Sequence, residues 1–579
     1  WEVLHEEQEW IDLDTMTDFC FPEEIDDDHR SAVVRAFFEN RVYFKFNSDR
    51  YFPHTPEQVE QIQAQAREAA RKERIIEAGG DWFQKVIKGE APAPETFTPE
   101  QAEWVEIIRS VYLFEKESPH WELGRAMLAR AGVESGDPLF RLLVALGAWG
   151  PDENVELHRF DVPIDFPGGV IDRTTDLIRS LPEITPDGIR RDLTGLELMT
   201  IDSQYTLDYD DALSIRDKGD YCELGVHIAD VSAFVKRDDP IDREAIARGS
   251  SIYMPDQKIP MLPQSLAEDL CSLRAGELRP AISILIRLNK EAAVLDYDIV
   301  PSVIRVAHQL SYFDVNMMAD GNPDIMLLHE IAQKYRRKRL AEGAVQISLP
   351  ELNIWIDEKG APMVSRTNRE SPGRLLVSEL MIMANALMAR FLAEREIPAV
   401  FRSQPPPRER LYKDTEGTLF QNWMQRKHLS RFSLGPAPER HSGLGVDAYV
   451  TATSPIRKYF DLITQRQIRS AFGLEPPHTR EEVAMAIGAL EQPMTAVSRL
   501  QFRRKRYWLL KYLEGKAGSK EEALVLARRK NDYLALLPEY MIECTIPFSS
   551  GLTLKPEDVT QVTLQHVDAR RDVLTVFAG

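Results

Sequence analysis

Four aspartates, Asp202, Asp208, Asp210 and Asp211, fall within ten consecutive positions. The chain holds 92 Asp and Glu in 579 residues, so the count is only a modest excess and the setting must carry the argument. The run LELMTI before the cluster and ALSI after it read as strands, which places the carboxylates at a strand end. Like charges that close repel unless cations neutralise them. Oxygen-only donors select hard ions such as Mg²⁺ or Mn²⁺, and no neighbouring His or Cys argues for zinc. A solvated acidic loop is the other reading, and the residues alone leave both open.

The elements around the cluster divide the chain. Residues 193–515 mix strand-like runs (CELGVHIADV, AISILIRL) with helix-like ones (LLVSELMIMANALMARFLAE, RQIRSAFG). Residues 1–150 read as a helical, winged-helix-like module, or equally a helical packing module without a ligand. Its helices open at Thr55-Pro56 and Thr98-Pro99, an N-cap residue followed by Pro at the first helical position. The first is expected to run to Gly79-Gly80; RVYFKF, Asn47-Ser48-Asp49 and RYF read as a hairpin. Residues 151–192, rich in Pro, Asp and Gly, read as a linker or peripheral layer. Residues 516–579 alternate short β-like segments with turns, as in a small OB-type barrel. The expected fold is therefore multidomain α+β around a large mixed α/β domain.

Composition narrows the function classes. Hydrophobic residues at 43% supply a large core, which excludes a disordered or disulfide-stapled chain. No run of 18 apolar residues occurs, so no membrane-spanning helix is expected. Four scattered cysteines without a CxxC pair fit a reducing cytoplasm. The chain begins at Trp1, which leaves room for a targeting segment before it. The net charge of −21 looks wrong for a nucleic-acid protein, but residues 1–30 contribute −11 of it. Residues 457–516 carry +6, compatible with a local polyanion site or with a solvated helix face. No Walker loop, GxGxxG, HExxH or GxSxG occurs in a supporting context.

The stretch 201–211 resembles the D-x5-D-x-D-D signature of the ribonuclease II family catalytic domain. The resemblance continues, in order, through Gly225-Val226-His227-Ile228-Ala229-Asp230-Val231-Ser232, ARGSSIYMPDQKIPMLPQSLAEDLCSL (247–273), SELMIMANALM (378–388) and HSGLGVDAYVTATSPIRKYFDL (441–462). It implies a hydrolytic 3′→5′ exoribonuclease that degrades single-stranded RNA from a free 3′ end to nucleoside 5′-monophosphates. Mg²⁺ is the implied cofactor, in a two-metal arrangement, with Mn²⁺ a substitute. On this resemblance Asp202 and Asp211 are direct ligands and Asp208 serves the second metal. Asp210 is the metal-linked residue whose loss stops turnover while RNA still binds. Arg457 offers an always-charged fork to the phosphate, or else is a strut for Asp461 one turn away. Tyr253 matches the aromatic that stacks on the terminal base, the alternative being a core tyrosine, and Tyr312 matches a ribose-recognition position. Arg503 and Arg504, in a basic run with Lys505 and Arg506, either line the RNA path or form an exposed helix face. A monomer without membrane attachment is expected. The competing hypothesis is a catalytically weak or inactive RNA-binding relative with a scaffolding or regulatory role; the intact Asp quartet and Arg457 favour the enzyme.

The chain also departs from that pattern. Ile347 stands where relatives often carry a second aromatic clamp. Gln404 and Gln465 replace frequent histidines, and Phe502 occupies a position where some relatives have Glu. The cold-shock barrels that open many relatives are replaced by the helical module. These departures bear on grip and rate more than on reaction type.

Overall fold

The computed structural model describes residues 1–579 apart from 23, 91–95, 182–183, 186–187, 319–320, 413–416 and 549–552. The chain divides into two compact units, Trp1–Asp161 and Val162–Gly579.

In the first unit the hairpin forms as expected, strand Phe44–Asn47 pairing antiparallel with Arg50–Pro53, and the short strand Ile11–Asp12 joins it. Helix Pro56–Ile87 starts at Thr55, whose hydroxyl accepts the Gln58 N–H while the Gln58 side chain accepts the Thr55 N–H. Thr98 and Gln101 repeat the device at helix Pro99–Phe114. The first helix does not stop at Gly79-Gly80 but continues to Ile87. A Cβ on Gly79 would lie 2.4 Å from Met127 Cε, and one on Gly80 would lie 2.8 Å from Arg130 Cβ. These glycines admit helix Trp121–Ala131 at close range rather than ending a helix. Phe83, Ile108, Met127, Leu139 and Leu143 form the fully buried centre of this helical cluster.

The second unit is built on a six-stranded sheet in the order Leu278–Asn289, Tyr221–Ala229, Asp211–Asp217, Leu198–Asp202, Val294–Ser311, Arg191–Asp192. Leu278–Asn289 also pairs with Val294–Ser311, so the sheet curls back on itself. A line of hydrogen bonds crosses its interior. Ser214 Oγ lies 3.0 Å from His227 Nε2, His227 Nδ1 lies 2.7 Å from Ser283 Oγ, and Ser283 Oγ lies 2.6 Å from Ser302 Oγ. Helix Pro372–Glu394 packs its buried residues into the same core. This helix is long and apolar enough to cross a membrane, but 67% of its apolar window is buried inside the protein. The test for a continuous apolar run passes over it because polar residues such as Glu379 and Asn385 interrupt it; both are buried and hydrogen-bonded.

Within 151–192, helix Gly168–Arg179 sits beside helix Pro240–Arg248, joined by Arg173 Nε donating to Asp239 Oδ2 at 2.7 Å. Helix Arg480–Glu514 runs for 35 residues through Pro493. It leads into a closed barrel ordered Lys520–Arg528, Asp532–Leu537, Ile542–Pro547, Val573–Ala578, Val559–Asp568. The expected OB-like closure is present; its first strand, KEEALVLAR, is too charged at its start to stand out as β.

Candidate active site

Asp202 ends strand Leu198–Asp202 and Asp211 opens strand Asp211–Asp217, so the sheet itself presents two of the four carboxylates. The connecting loop is pinned. Ser272 Oγ donates to Leu207 O at 2.8 Å and accepts from Tyr209 N at 3.0 Å. Asp210 O accepts the Ala229 N–H at 2.8 Å. All four aspartates thereby come to one edge of the sheet.

Their partners differ. Asp210 Oδ1 accepts the Ile456 N–H and Oδ2 accepts Arg457 Nε–H, both at 2.9 Å. Asp208 Oδ2 accepts the Tyr253 hydroxyl at 2.6 Å, and Lys258 Nζ donates to Oδ1 at 3.2 Å. Burial pushes the Asp210 carboxyl up to about 7, against the pull of Arg457. Burial also raises Asp202 to about 6, again opposed by Arg457. Asp211 is driven well above the usual carboxylate range by burial and then by Asp202 and Asp210. An anionic set under this strain favours a bound cation.

The donor chemistry fits a hard divalent ion: carboxylate oxygens converge, and no sulfur or imidazole intrudes. Among the described residues, however, no three His, Cys, Asp or Glu side chains stand ready-grouped to hold a metal. Asp208 and Asp210 instead direct their oxygens to Tyr253, Lys258, Ile456 and Arg457. Each of these oxygens accepts one hydrogen bond and keeps a second lone pair for a cation.

Arg457 does not act as a strut for Asp461. Asp461 Oδ1 accepts the Ser454 N–H at 2.9 Å, while Arg457 reaches Asp210 and donates from Nη2 to Ser454 Oγ at 2.9 Å. Its side chain remains 38% exposed, so part of the guanidinium faces outward. Ser250 Oγ and Ser251 N both donate to Arg457 O, tying this turn to the segment that leads into Tyr253. Tyr253 is 41% exposed and is no core tyrosine. Tyr312 follows Ser311, the parallel-strand partner of Asp202, with Arg374 Cζ 4.9 Å from its ring centre. Burial, then Asp202 and Asp211, raise its phenol, which places it beside the carboxylates.

The basic run resolves into unlike parts. Arg504 is 5% exposed, paired with Asp256 and flanked by the Tyr507 and Trp508 rings, so it is a structural brace rather than a residue lining a solvent path. Arg503 lies on the exposed side of the helix. Gln404 Nε2 donates to Ser430 O at 2.7 Å and Gln465 Nε2 to Ala229 O at 2.7 Å; both amides are buried and support backbone. Ile347 and Phe502 line one cavity together.

Two contributors were not visible in the sequence. Lys258 is the cross-strand neighbour of Tyr253 in a hairpin that turns at Met254-Pro255-Asp256-Gln257, so both reach Asp208. The turn residues were the available signal. Ser454, holding Arg457, lies in the Ser-Pro-Ile-Arg motif but has no distinguishing spacing.

The RNB domain model matches residues 190–473, the stretch that holds the curled sheet, the four aspartates and Arg457. A double HTH domain model matches residues 59–155. The chain is 31% identical to an uncharacterized ribonuclease of Synechocystis sp. over 99% of its own length and 86% of that protein's. Two solved structures share the fold. Dss1 exoribonuclease from Candida glabrata, an active-site mutant, has a TM-score of 0.73 at 18% identity, covering 100% of this chain and 84% of that one. Mycoplasma genitalium RNase R in complex with ribose-methylated single-stranded RNA has 0.66 at 19%, covering 73% and 77%. The chain belongs to the ribonuclease II family, with a helix-turn-helix N-terminal region.

Proposed function

We propose that this chain is a Mg²⁺-dependent exoribonuclease that hydrolyses single-stranded RNA from a free 3′ end and releases nucleoside 5′-monophosphates. The observation that carries this reading is the arginine–aspartate pair, Arg457 on Asp210, set against Asp202, Asp208 and Asp211 at one sheet edge. The ribonuclease relative and the RNA-bound neighbour support it. Asp202, Asp208, Asp210 and Asp211 would hold the metal, with Mn²⁺ a substitute; a divalent ion supplies water activation and charge neutralisation at phosphate.

The chain's own residues divide the remaining work. Arg457 is already charged and oriented, and its outward face can hold phosphate oxygens as negative charge builds on them. Tyr253 offers an exposed ring on which any base can stack. Tyr312 borders the carboxylates where the terminal ribose would lie. Grip on backbone and base face, without base-edge contacts, predicts little sequence preference. The reading includes a monomer acting in the cytoplasm.

The test is a 5′-labelled RNA oligomer incubated with Mg²⁺ or with EDTA. A descending ladder that appears only with Mg²⁺ is expected, and a 3′-phosphate block should stop it. Shifted but intact RNA in both lanes would identify a non-catalytic binder. Cleavage of a covalently closed circle would overturn exonucleolytic action.

A further inference from the structure

Glu268, on the turn Leu266–Leu270, faces Asp208 across a single ammonium. Lys258 Nζ donates to Glu268 Oε1 at 2.8 Å and to Asp208 Oδ1 at 3.2 Å. Each carboxylate is also held from its other oxygen. Gln264 Nε2 donates to Glu268 Oε2 at 2.8 Å, and the Tyr253 hydroxyl donates to Asp208 Oδ2 at 2.6 Å. Both carboxylates are largely buried, and two such groups repel one another unless a cation lies between them. Lys258 is that cation. Its side chain is 30% exposed, and its third N–H has no acceptor among the described residues.

The lysine is fixed where it stands. It is the cross-strand neighbour of Tyr253, with Nζ 5.6 Å from the Tyr253 ring centre. The turn of the same hairpin is braced at Asp256 by Arg504 Nε at 3.0 Å. The result divides the quartet. Asp210 has Arg457 and Asp208 has Lys258, whereas among the described residues no Lys or Arg comes into ion-pair range of Asp202 or Asp211. These two lie on adjoining strands, so the unmet demand for positive charge is centred there. The demand at Asp208 is already answered from within the chain.

Resting on the exoribonuclease reading, we propose that Lys258 stands in for a second metal ion: the site takes one divalent ion, centred on Asp202 and Asp211, and the Lys258 ammonium, positioned by Glu268, is the resident cation at Asp208. A lysine suits the place because it is a compact charge with three rotatable donors. Two of them hold the carboxylates, and the third is left for an oxygen of the RNA phosphate.

The experiment uses the full-length protein stripped with EDTA and titrated with Mn²⁺, the free ion being followed by electron paramagnetic resonance. Lys258→Ala leaves Asp208 and Glu268 facing an open cation position, so it should take up about one more Mn²⁺ per chain than the parent. Lys258→Ala/Glu268→Gln should return to the parental count. Comparison with the parent cancels Mn²⁺ held by the acidic residues 1–30. Single-turnover hydrolysis of 5′-labelled RNA by Lys258→Ala should fall roughly 10²-fold at low Mn²⁺ and recover as the extra ion binds. A lysine with a merely structural role would show no such rescue. Melting curves check the fold, and Lys258→Ser, with the same expected gain, serves where the alanine variant does not fold. A folded Lys258→Ala or Lys258→Ser protein with the parental Mn²⁺ count overturns the proposal, as does an extra ion that persists in the double variant. If the parent holds no Mn²⁺ that Asp202→Asn removes, the metal-dependent exoribonuclease reading falls, and this proposal with it.

Discussion

Asp210 accepts from two donors at once, the Ile456 amide and the Arg457 guanidinium, and so is the aspartate that holds the arginine in place. An asparagine there keeps the shape but loses the charge and one acceptor. Asp210→Asn is expected to abolish hydrolysis while RNA affinity, spread over many phosphate and base contacts, survives; a gel-shift beside a ladder assay checks both, and turnover near the parental rate would remove Asp210 from the catalytic set. Arg457→Lys keeps a charge but loses the planar fork. Single-turnover rate should fall about 10²–10³-fold, the usual loss for one preorganised donor at a developing charge, with little change in melting temperature. Asp461→Asn should behave differently, lowering the melting point, because Asp461 holds the Ser454 amide and not the arginine. A normal single-turnover rate for the lysine variant would exclude a transition-state role.

Elements set these residues where they are, and not all elements were legible in the chain. The strands flanking the aspartates and the capped helix starts at Thr55 and Thr98 read directly from alternation and cap chemistry. Gly79-Gly80 misled because glycine is a stop signal in a sequence, whereas here it serves as clearance between helices, a fact that resides in Met127 and Arg130 far along the chain. The Asp256–Arg504 brace was illegible for the same reason: two charged residues 248 positions apart carry no local pattern. The site motif was legible because its four carboxylates lie close in sequence; Lys258 joined them only through a hairpin register. The glycine reading is testable. Gly80→Ala should destabilise the first unit by about 1–3 kcal/mol of overpacking, offset by up to about 1 kcal/mol of helix propensity. Calorimetric melting of the full chain would show it, and a raised transition would contradict close packing.

Across the molecule, three buried histidines make stability depend on acid. Burial lowers His227 to about 3, and lowers His441 and His478 to about 4. Unfolded histidine titrates near 6.5. Above that pH neither state is protonated and the contribution is intact; as pH falls from about 6.5 toward 4 the unfolded chain gains protons that the folded chain refuses, and stability is lost. Each histidine contributes at most about 1.4 kcal/mol per pH unit. The raised Asp202 and Asp210 act in the opposite sense, so the difference between parent and variant isolates the effect. His227→Gln should flatten the fall in urea midpoint between pH 6.5 and 4.5, and parallel curves for the two proteins would contradict it. The same histidine has a second consequence. The inward positions of this sheet are mostly Ile, Leu and Val, which tolerate one another, so apolar burial alone distinguishes poorly between pairings offset by two residues. The Ser214–His227–Ser283–Ser302 line occurs only in one alignment of four strands, and Gly225 leaves the room it needs, since a Cβ there would lie 2.3 Å from Ser214 Oγ. Any slipped pairing buries an imidazole without partners. The polar thread therefore works as an alignment key, and because Asp202 and Asp211 sit at the ends of strands in the same sheet, it also decides whether the carboxylates ever meet.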